Sequence, residues 1–121
     1  MTRIVAILNG TTNAVLSTMD DGVPLRAALD EARRKGFAEA DPSADLDGDD
    51  ARAKLAILCA LAFGLRVDAL DIPVRSAADV TAADLAEARR VGATIRQVAH
   101  AEYDYSSSTL NAWVAPVAVP R

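Results

Sequence analysis

Thr94–Val119, TIRQVAHAEYDYSSSTLNAWVAPVAV, is the stretch whose reading decides the fold. Thr94–Tyr103 and Leu110–Val119 are rich in strand-forming residues, and the segment Asp104–Thr109 between them is polar. A connection this short closes a hairpin but cannot carry the crossover that two parallel strands require, so the sheet must be at least partly antiparallel.

Upstream of the hairpin, Thr81 and Asp84 have the spacing of a capping box and open a predicted helix through Val91, which Gly92 ends. Asp71–Ser76 holds Ile72, Val74 and a proline, the pattern of a strand near a sheet edge. Ala51–Phe63 is the most hydrophobic helix of the chain, apolar nearly all round beyond Lys54, which predicts the central core helix. Before it, Phe37–Asp50 packs Glu39, Asp41, Asp45, Asp47, Asp49 and Asp50 around Pro42 and Gly48 and reads as a loop. Pro24 begins a helix with Leu25, Ala28, Leu29 and Ala32 on one face, and Gly36 stops it. At the N-terminus Arg3–Asn9 is a short apolar strand closed by Gly10. Thr11 or Thr12 then caps a brief helix over Ala14–Met19, with Asp20-Asp21-Gly22 as its stop. The order is β-α-α-α-β-α-β-β. The expected class is α+β, with a mixed, largely antiparallel sheet of about four strands and helices packed on one face.

The 121 residues fit one domain, 1–121, able to bury a single core but too short for a two-domain plan. Hydrophobic residues make up 51% and charged residues 25%, the balance of an ordinary globular protein. A net charge of −4 argues against capture of nucleic acid or anionic lipid, which draws on clustered Lys and Arg. The basic groups Arg33-Arg34-Lys35 and Arg89-Arg90 sit near predicted helix C-termini, where cations offset the helix dipole. Cys59 is the single cysteine and lies in an apolar run, which excludes an internal disulfide and suits a reducing cytosol. That run, Leu55–Leu65, falls short of the roughly 20 residues needed to cross a bilayer, and no signal-peptide pattern opens the chain, so a cytoplasmic address is expected.

The glycines stand at positions 10, 22, 36, 48, 64 and 92, whereas a dinucleotide cradle needs three within about six residues. No cofactor site is expected in this chain alone. One His and one Cys cannot supply a structural zinc set, and His100, inside a predicted strand, reads as a packing or surface residue. Chemistry concentrates instead in Gly36–Leu58, GFAEADPSADLDGDDARAKLAIL. Asp50 and Lys54 are four apart at a helix start and share a face, with Cβ atoms about 5–6 Å apart. Such a pair is usually an exposed ion pair. Here the helix is otherwise apolar, and the adjoining carboxylates would repel one another unless a cation or ammonium group were shared among them.

The same string resembles the signature of homoserine dehydrogenases, roughly G-(Tyr or Phe)-x-E-x-D-P-x-x-D-x-x-G-x-D-x-x-x-K, and each fixed position is matched. TRIVAILNGTTNAVLSTM resembles the family's opening strand and Asn-Gly-Thr-Thr-Asn turn, and Ile72 to Pro120 follows its later strand, helix and hairpin. The resemblance implies that Glu39 and Asp45 help bind an amino-acid substrate, with Asp50 at the same site, and that Lys54 holds or exchanges the proton of the hydroxyl being oxidised. Glu39, Asp50 and Lys54 are thus the catalytic candidates; Gly10, Thr11, Glu39, Asp45 and Asp50 are the substrate-binding ones. Gly10 and Thr11 match the turn lying against substrate. For the full enzyme the resemblance implies NAD or NADP and the interconversion of homoserine and aspartate semialdehyde. The family's Rossmann domain, which carries the nicotinamide site and a further lysine, is absent from these residues, so the chain is expected to be inactive without a nucleotide-binding partner. Ala14 departs from the aromatic residue frequent at its position.

Two other classes remain open. One is a standalone relative using the acidic and Lys54 pocket for cofactor-free elimination, isomerisation or cyclisation of a small amino-acid-like molecule. The other is a non-catalytic binding or assembly protein. A homodimer is expected through the open sheet face, where Val98, Val114 and Val117 need cover.

Overall fold

The computed structural model describes residues 2–39 and 41–121. The hairpin forms as the turn chemistry dictates. Strand β2, Ala93–Asp104, runs antiparallel to β3, Thr109–Pro120, in continuous register from Ala93↔Pro120 to Asp104↔Thr109. The first strand, β1 (Thr2–Ala6), pairs antiparallel on the other side of β2, from Thr2↔Tyr103 to Ala6↔Ala99, giving a three-stranded sheet in the order β1-β2-β3.

The expected fourth strand, Asp71–Ser76, is reduced to one parallel bridge, Val74↔Val114, at the outer edge of β3. Arg75 N–H donates to the Val114 carbonyl at 2.9 Å, and Val114 N–H donates to the Pro73 carbonyl at 3.0 Å. Pro73 has no N–H to continue the ladder, and flanking single 3-10 turns, Ala69–Asp71 and Ala77–Asp79, draw the chain away on both sides. These two bonds also fix which groups of β3 face outward. Pro116, two residues beyond Val114, points its missing N–H to the same outer edge, so it costs the hairpin no bond.

Among the described residues five helices lie on one face of this sheet: α1 (Gly10–Asp20), α2 (Leu25–Arg34), α3 (Ser43–Leu46), α4 (Asp49–Phe63) and α5 (Ala82–Arg90). Two buried clusters hold them there. Val15, Leu16 and Met19 of α1 meet Ala28 and Ala32 of α2, Leu46, Leu85 and Ala88 of α5 and Ile95 of β2. Ala51, Leu55, Cys59 and Phe63 of α4 meet Ile72, Ala99 and Ala101 of β2 and Val114 of β3. The β2 residues involved are all odd-numbered, as a period of two requires for one face. Val114 therefore belongs to the helix-packed face, not the open one: its pairing with Ala99 puts it there, fully buried, while Val98 and Val117 lie on the opposite face, where Val98 is nonetheless buried and only Val117 is partly exposed.

Other details differ from the sequence expectation. The first strand ends at Ala6, three residues before Asn9, and α1 begins at Gly10 with Asn9, rather than a threonine, as its N-cap. The acidic segment contains the one-turn helix α3. Helix α4 buries a single stripe, residues 51, 55, 59 and 63, and leaves Ile57 and Leu61 exposed, because among the described residues no second layer covers its outer side. The Thr81 capping box forms in full, with Thr81 Oγ1 accepting from Asp84 N–H and the Asp84 carboxylate accepting from Thr81 N–H.

Candidate functional site

The site forms where the β1–α1 connection meets the acidic segment. Its hub is Asn9, which is buried and has every polar atom of its side chain committed. Asn9 Oδ1 accepts from Thr12 N–H at 2.8 Å and so starts α1. The two N–H groups of its amide donate to two carboxylates, Asp45 Oδ1 and Asp50 Oδ2, each at 2.7 Å. Two acids 36 and 41 residues along the chain are thus held on one amide.

Each carboxylate has its own local support. Asp45 lies on α3, whose N–H groups begin over Pro42. Asp50 lies in the first turn of α4, where an anion meets the positive end of the helix dipole. Gly48 joins the two helices at φ +91°, a left-handed conformation that L side chains rarely adopt, and it is packed against Val74 and Val114. This turn is why the acidic string folds as two helices with both acids directed at Asn9.

Lys54 stands one turn beyond Asp50 on α4. Its ammonium donates to Asp50 Oδ2 at 2.9 Å and to the Leu8 carbonyl at 2.9 Å. The hydrogen bond from Lys54 holds the Asp50 carboxyl below the usual carboxylate range, with Asn9 adding to the effect and partial burial opposing it. Asp50 is therefore an anion throughout the neutral range. The side chains of Lys54 and Asp50 are 50% and 36% exposed, so the pair faces solvent and a ligand can reach it. An ammonium has three donors and two are taken here, leaving one for a third partner.

Of the residues marked out by sequence, Asp45, Asp50 and Lys54 are brought together around Asn9. Gly10 and Thr11 follow directly as the first turn of α1 and border a shallow opening with Ala14 and Phe37. An added Cβ at Gly10 would meet nothing within 4 Å, so backbone is open to a ligand there. Thr11 Oγ1 donates to the Phe37 carbonyl at 2.6 Å and ties this turn to the acidic segment. Glu39 is not drawn in: it is exposed, and the bond it makes is through its main-chain carbonyl, which accepts from Arg33 Nε at 3.4 Å. His100 stacks on Trp113 across the hairpin with ring centroids 4.9 Å apart, on the face without helices. Cys59 is buried, and burial pushes its thiol pKa up.

Asn9, Asn13 and Gln97 were not singled out by sequence reasoning. The signal for Asn9 was available: an Asn before Gly-Thr-Thr at a strand end is a good N-cap. Asn13 closes the same Asn-Gly-Thr-Thr-Asn turn, but its bonds to Gln97, 84 residues away, gave no signal, and neither did that of Gln97 to Asp45, 52 residues away. The groove between α5 and the end of β3, lined by Asp84, Glu87, Val91 and Pro116, does not reach these groups. Among the described residues no three His, Cys, Asp or Glu side chains cluster to hold a metal ion, and no helix is long and apolar enough to cross a membrane.

The family model described as Homoserine dehydrogenase matches residues 1–121. The chain is 43% identical over 122 residues to the homoserine dehydrogenase of Mycobacterium tuberculosis (strain ATCC 25618 / H37Rv), covering 98% of this chain and 28% of that protein. It is 37% identical over 121 residues to that of Bacillus subtilis (strain 168), covering 99% and 28%. Among solved structures, the homoserine dehydrogenase of S. aureus at pH 7.5 superposes with a TM-score of 0.93 at 36% identity, covering 99% of this chain and 31% of that one. That of Thiobacillus denitrificans gives 0.90 at 34%, covering 98% and 27%. The chain thus spans little more than a quarter of the length of the relatives it matches.

Proposed function

Since the chain belongs to the homoserine dehydrogenase family, we propose that it is the substrate-binding and proton-handling part of an oxidoreductase interconverting homoserine and aspartate semialdehyde. The observation that carries this reading is the set of Asp45 and Asp50 on one buried amide with Lys54 on the second acid. Asp45 and Asp50 offer an anionic seat to the substrate ammonium. Lys54, with one donor uncommitted, meets the reacting oxygen: as the ammonium it gives its proton to the aldehyde oxygen in the reducing direction, and as the amine so formed it takes the hydroxyl proton in the oxidising one, with Asp50 balancing the charged form. Glu39, exposed in this chain, would swing in from its loop to add a third carboxylate for the same ammonium, a role that the family resemblance implies. Gly10 and Thr11 present backbone to the substrate at the start of α1, where N–H groups favour a carboxylate.

The redox half of such a reaction belongs to a nicotinamide cofactor, which accepts and returns hydride. The described residues do not fit one: the glycines with left-handed backbone, Gly22, Gly36, Gly48, Gly64 and Gly92, sit in separate turns, and none forms a phosphate cradle. NAD or NADP would be held by a nucleotide-binding domain or subunit outside these residues, and turnover would require it. A homodimer through the open face of the sheet completes the reading.

Titration of the isotope-labelled chain with homoserine, followed by backbone amide NMR, tests the binding half. Shift changes clustered at Gly10, Asp45, Asp50 and Lys54 are expected. A folded spectrum that homoserine leaves unchanged at saturating concentration, with or without added nucleotide-binding partner, would overturn the assignment.

A further inference from the structure

Gln97 stands in the middle of β2, on the face where its neighbours Ile95, Ala99 and Ala101 fill the core, and it is 1% exposed. A carboxamide at such a position costs the removal of its polar atoms from water unless they are bonded. Its Nε2 donates to the main-chain carbonyl of Asp45 at 3.2 Å, a carbonyl that also accepts from Gly48 N–H at 3.3 Å. Its Oε1 has no donor among the described residues. An apolar side chain would fill this place with less loss, so something other than core packing favours glutamine here.

The backbone of Gln97 is held with equal care. Beyond Ala6 strand β1 has ended, so the main-chain N–H and carbonyl of Gln97 on that side have no strand partner. The amide of Asn13 replaces it: Asn13 Oδ1 accepts from Gln97 N–H at 2.8 Å, and Asn13 Nδ2 donates to the Gln97 carbonyl at 3.3 Å and to the Asn9 carbonyl at 2.9 Å. Asn9, Asn13, Gln97 and Asp45 are thereby one connected polar chain from the sheet to the acids. Helix α3, which carries Asp45, has four residues, too few to be stable alone, and is held from outside: Ser43 N–H donates to Asp41 Oδ1 at 3.1 Å, Ser76 Oγ donates to the Leu46 carbonyl at 3.4 Å at its far end, and Gln97 is its hydrogen-bonded tie to the central strand.

We propose that Gln97 is a positioning residue of the homoserine site: it fixes α3 to the sheet and so sets the distance between the Asp45 and Asp50 carboxylates that receive the substrate ammonium. This rests on the function proposed above. Gln97 does not touch substrate, and the proton step at Lys54 does not involve it.

Steady-state kinetics on the intact oxidoreductase carrying this domain, wild type against Gln97→Leu, tests the proposal. Loss of one hydrogen bond that acts through substrate binding should raise the homoserine KM about fivefold to tenfold, with kcat and the nucleotide KM within about twofold of wild type. Melting temperature should change little, because losing the bond to the Asp45 carbonyl, which keeps Gly48 N–H, is offset by removing a buried acceptor that has no donor among the described residues. An active variant with unchanged homoserine KM, or one in which kcat falls with Tm while KM stays constant, overturns the role of Gln97 and leaves the functional reading standing. A wild-type enzyme that does not turn over homoserine overturns both. Gln97→Met, of similar length, provides the same comparison should the leucine variant not fold.

Discussion

Asp50 and Lys54 could have been an ordinary helix-surface pair, worth only a few tenths of a kcal/mol. What separates them from that is Asn9, which adds a second carboxylate to the same cluster. Lys54→Ala in the intact enzyme is therefore expected to abolish homoserine oxidation while moving the melting temperature by no more than a degree or two, since the side chain is half exposed. Normal turnover in that variant would reduce Lys54 to an ion-pair partner. Asp50 has a depressed folded-state pKa, so its contribution to stability is present above the unfolded value near ~3.9 and is lost as pH falls through the lower folded value. Replacing the neutral hub tests the electrostatics. Asn9→Asp sets a third carboxylate beside Asp45 and Asp50, and like charges raise one another's pKa. The variant should bind homoserine progressively more weakly as pH is lowered from neutral through the raised values, over a range where wild-type binding stays flat. Equal pH profiles for the two proteins would show that the acids do not feel position 9.

At the scale of elements, local chemistry was legible and long-range chemistry was not. The hairpin, the capping box at Thr81, the stop at Gly36 and the acidic segment before α4 each depend on residues a few positions apart, which a single sequence displays. The fourth strand was misjudged because Ile72 and Val74 have strand character, yet Pro73 and the 3-10 turns on either side allow only one bridge to Val114. The outer side of α4 looked as apolar as its inner side, and nothing in the composition says that only one would be covered. Of the candidate site, Asp45, Asp50 and Lys54 were visible through a motif; Asn9 and Asn13 stood in the Asn-Gly-Thr-Thr-Asn turn without showing which groups they hold, and Gln97, on β2, gave no signal at all. Gly48 is the element-scale pivot: its left-handed turn lets α3 end and α4 begin so that both acids face Asn9. Gly48→Ala should cost about 1–2 kcal/mol from backbone conformation alone, with a new Cβ 3.4 Å from Val74. Thermal unfolding would read this as a lowered Tm, and homoserine affinity should fall with it. An unchanged Tm would mean that the turn relaxes without strain.

At the scale of the whole molecule, the helices cover one face of the sheet, and among the described residues no element lies on the other, although Thr94 and Val98 of the central strand are already buried there by their neighbours. That second face carries Val5 on β1, Val98 and His100 on β2, and Trp113, Ala115, Val117 and Val119 on β3, with Arg3, Arg96 and Glu102 toward its margins. Val5 is 61% exposed. Sheets pack face to face at about 10 Å, and an apolar centre with a charged margin suits a second copy turned about a two-fold axis, each strand then covering its own equivalent. Such an arrangement leaves the Asn9 cluster, on the helix side, free for substrate and for whatever holds the nucleotide. Sedimentation velocity at micromolar concentration should show a dimer, and Val117→Lys, which sets a second cation beside Arg96 on the apolar part of β3 without entering either buried cluster, should convert it to a folded monomer. Wild-type chain sedimenting as a monomer would remove the sheet face as a self-association surface. A Val117→Lys protein that remains dimeric would move the interface elsewhere, with the exposed Ile57 and Leu61 stripe of α4 the next apolar surface to probe.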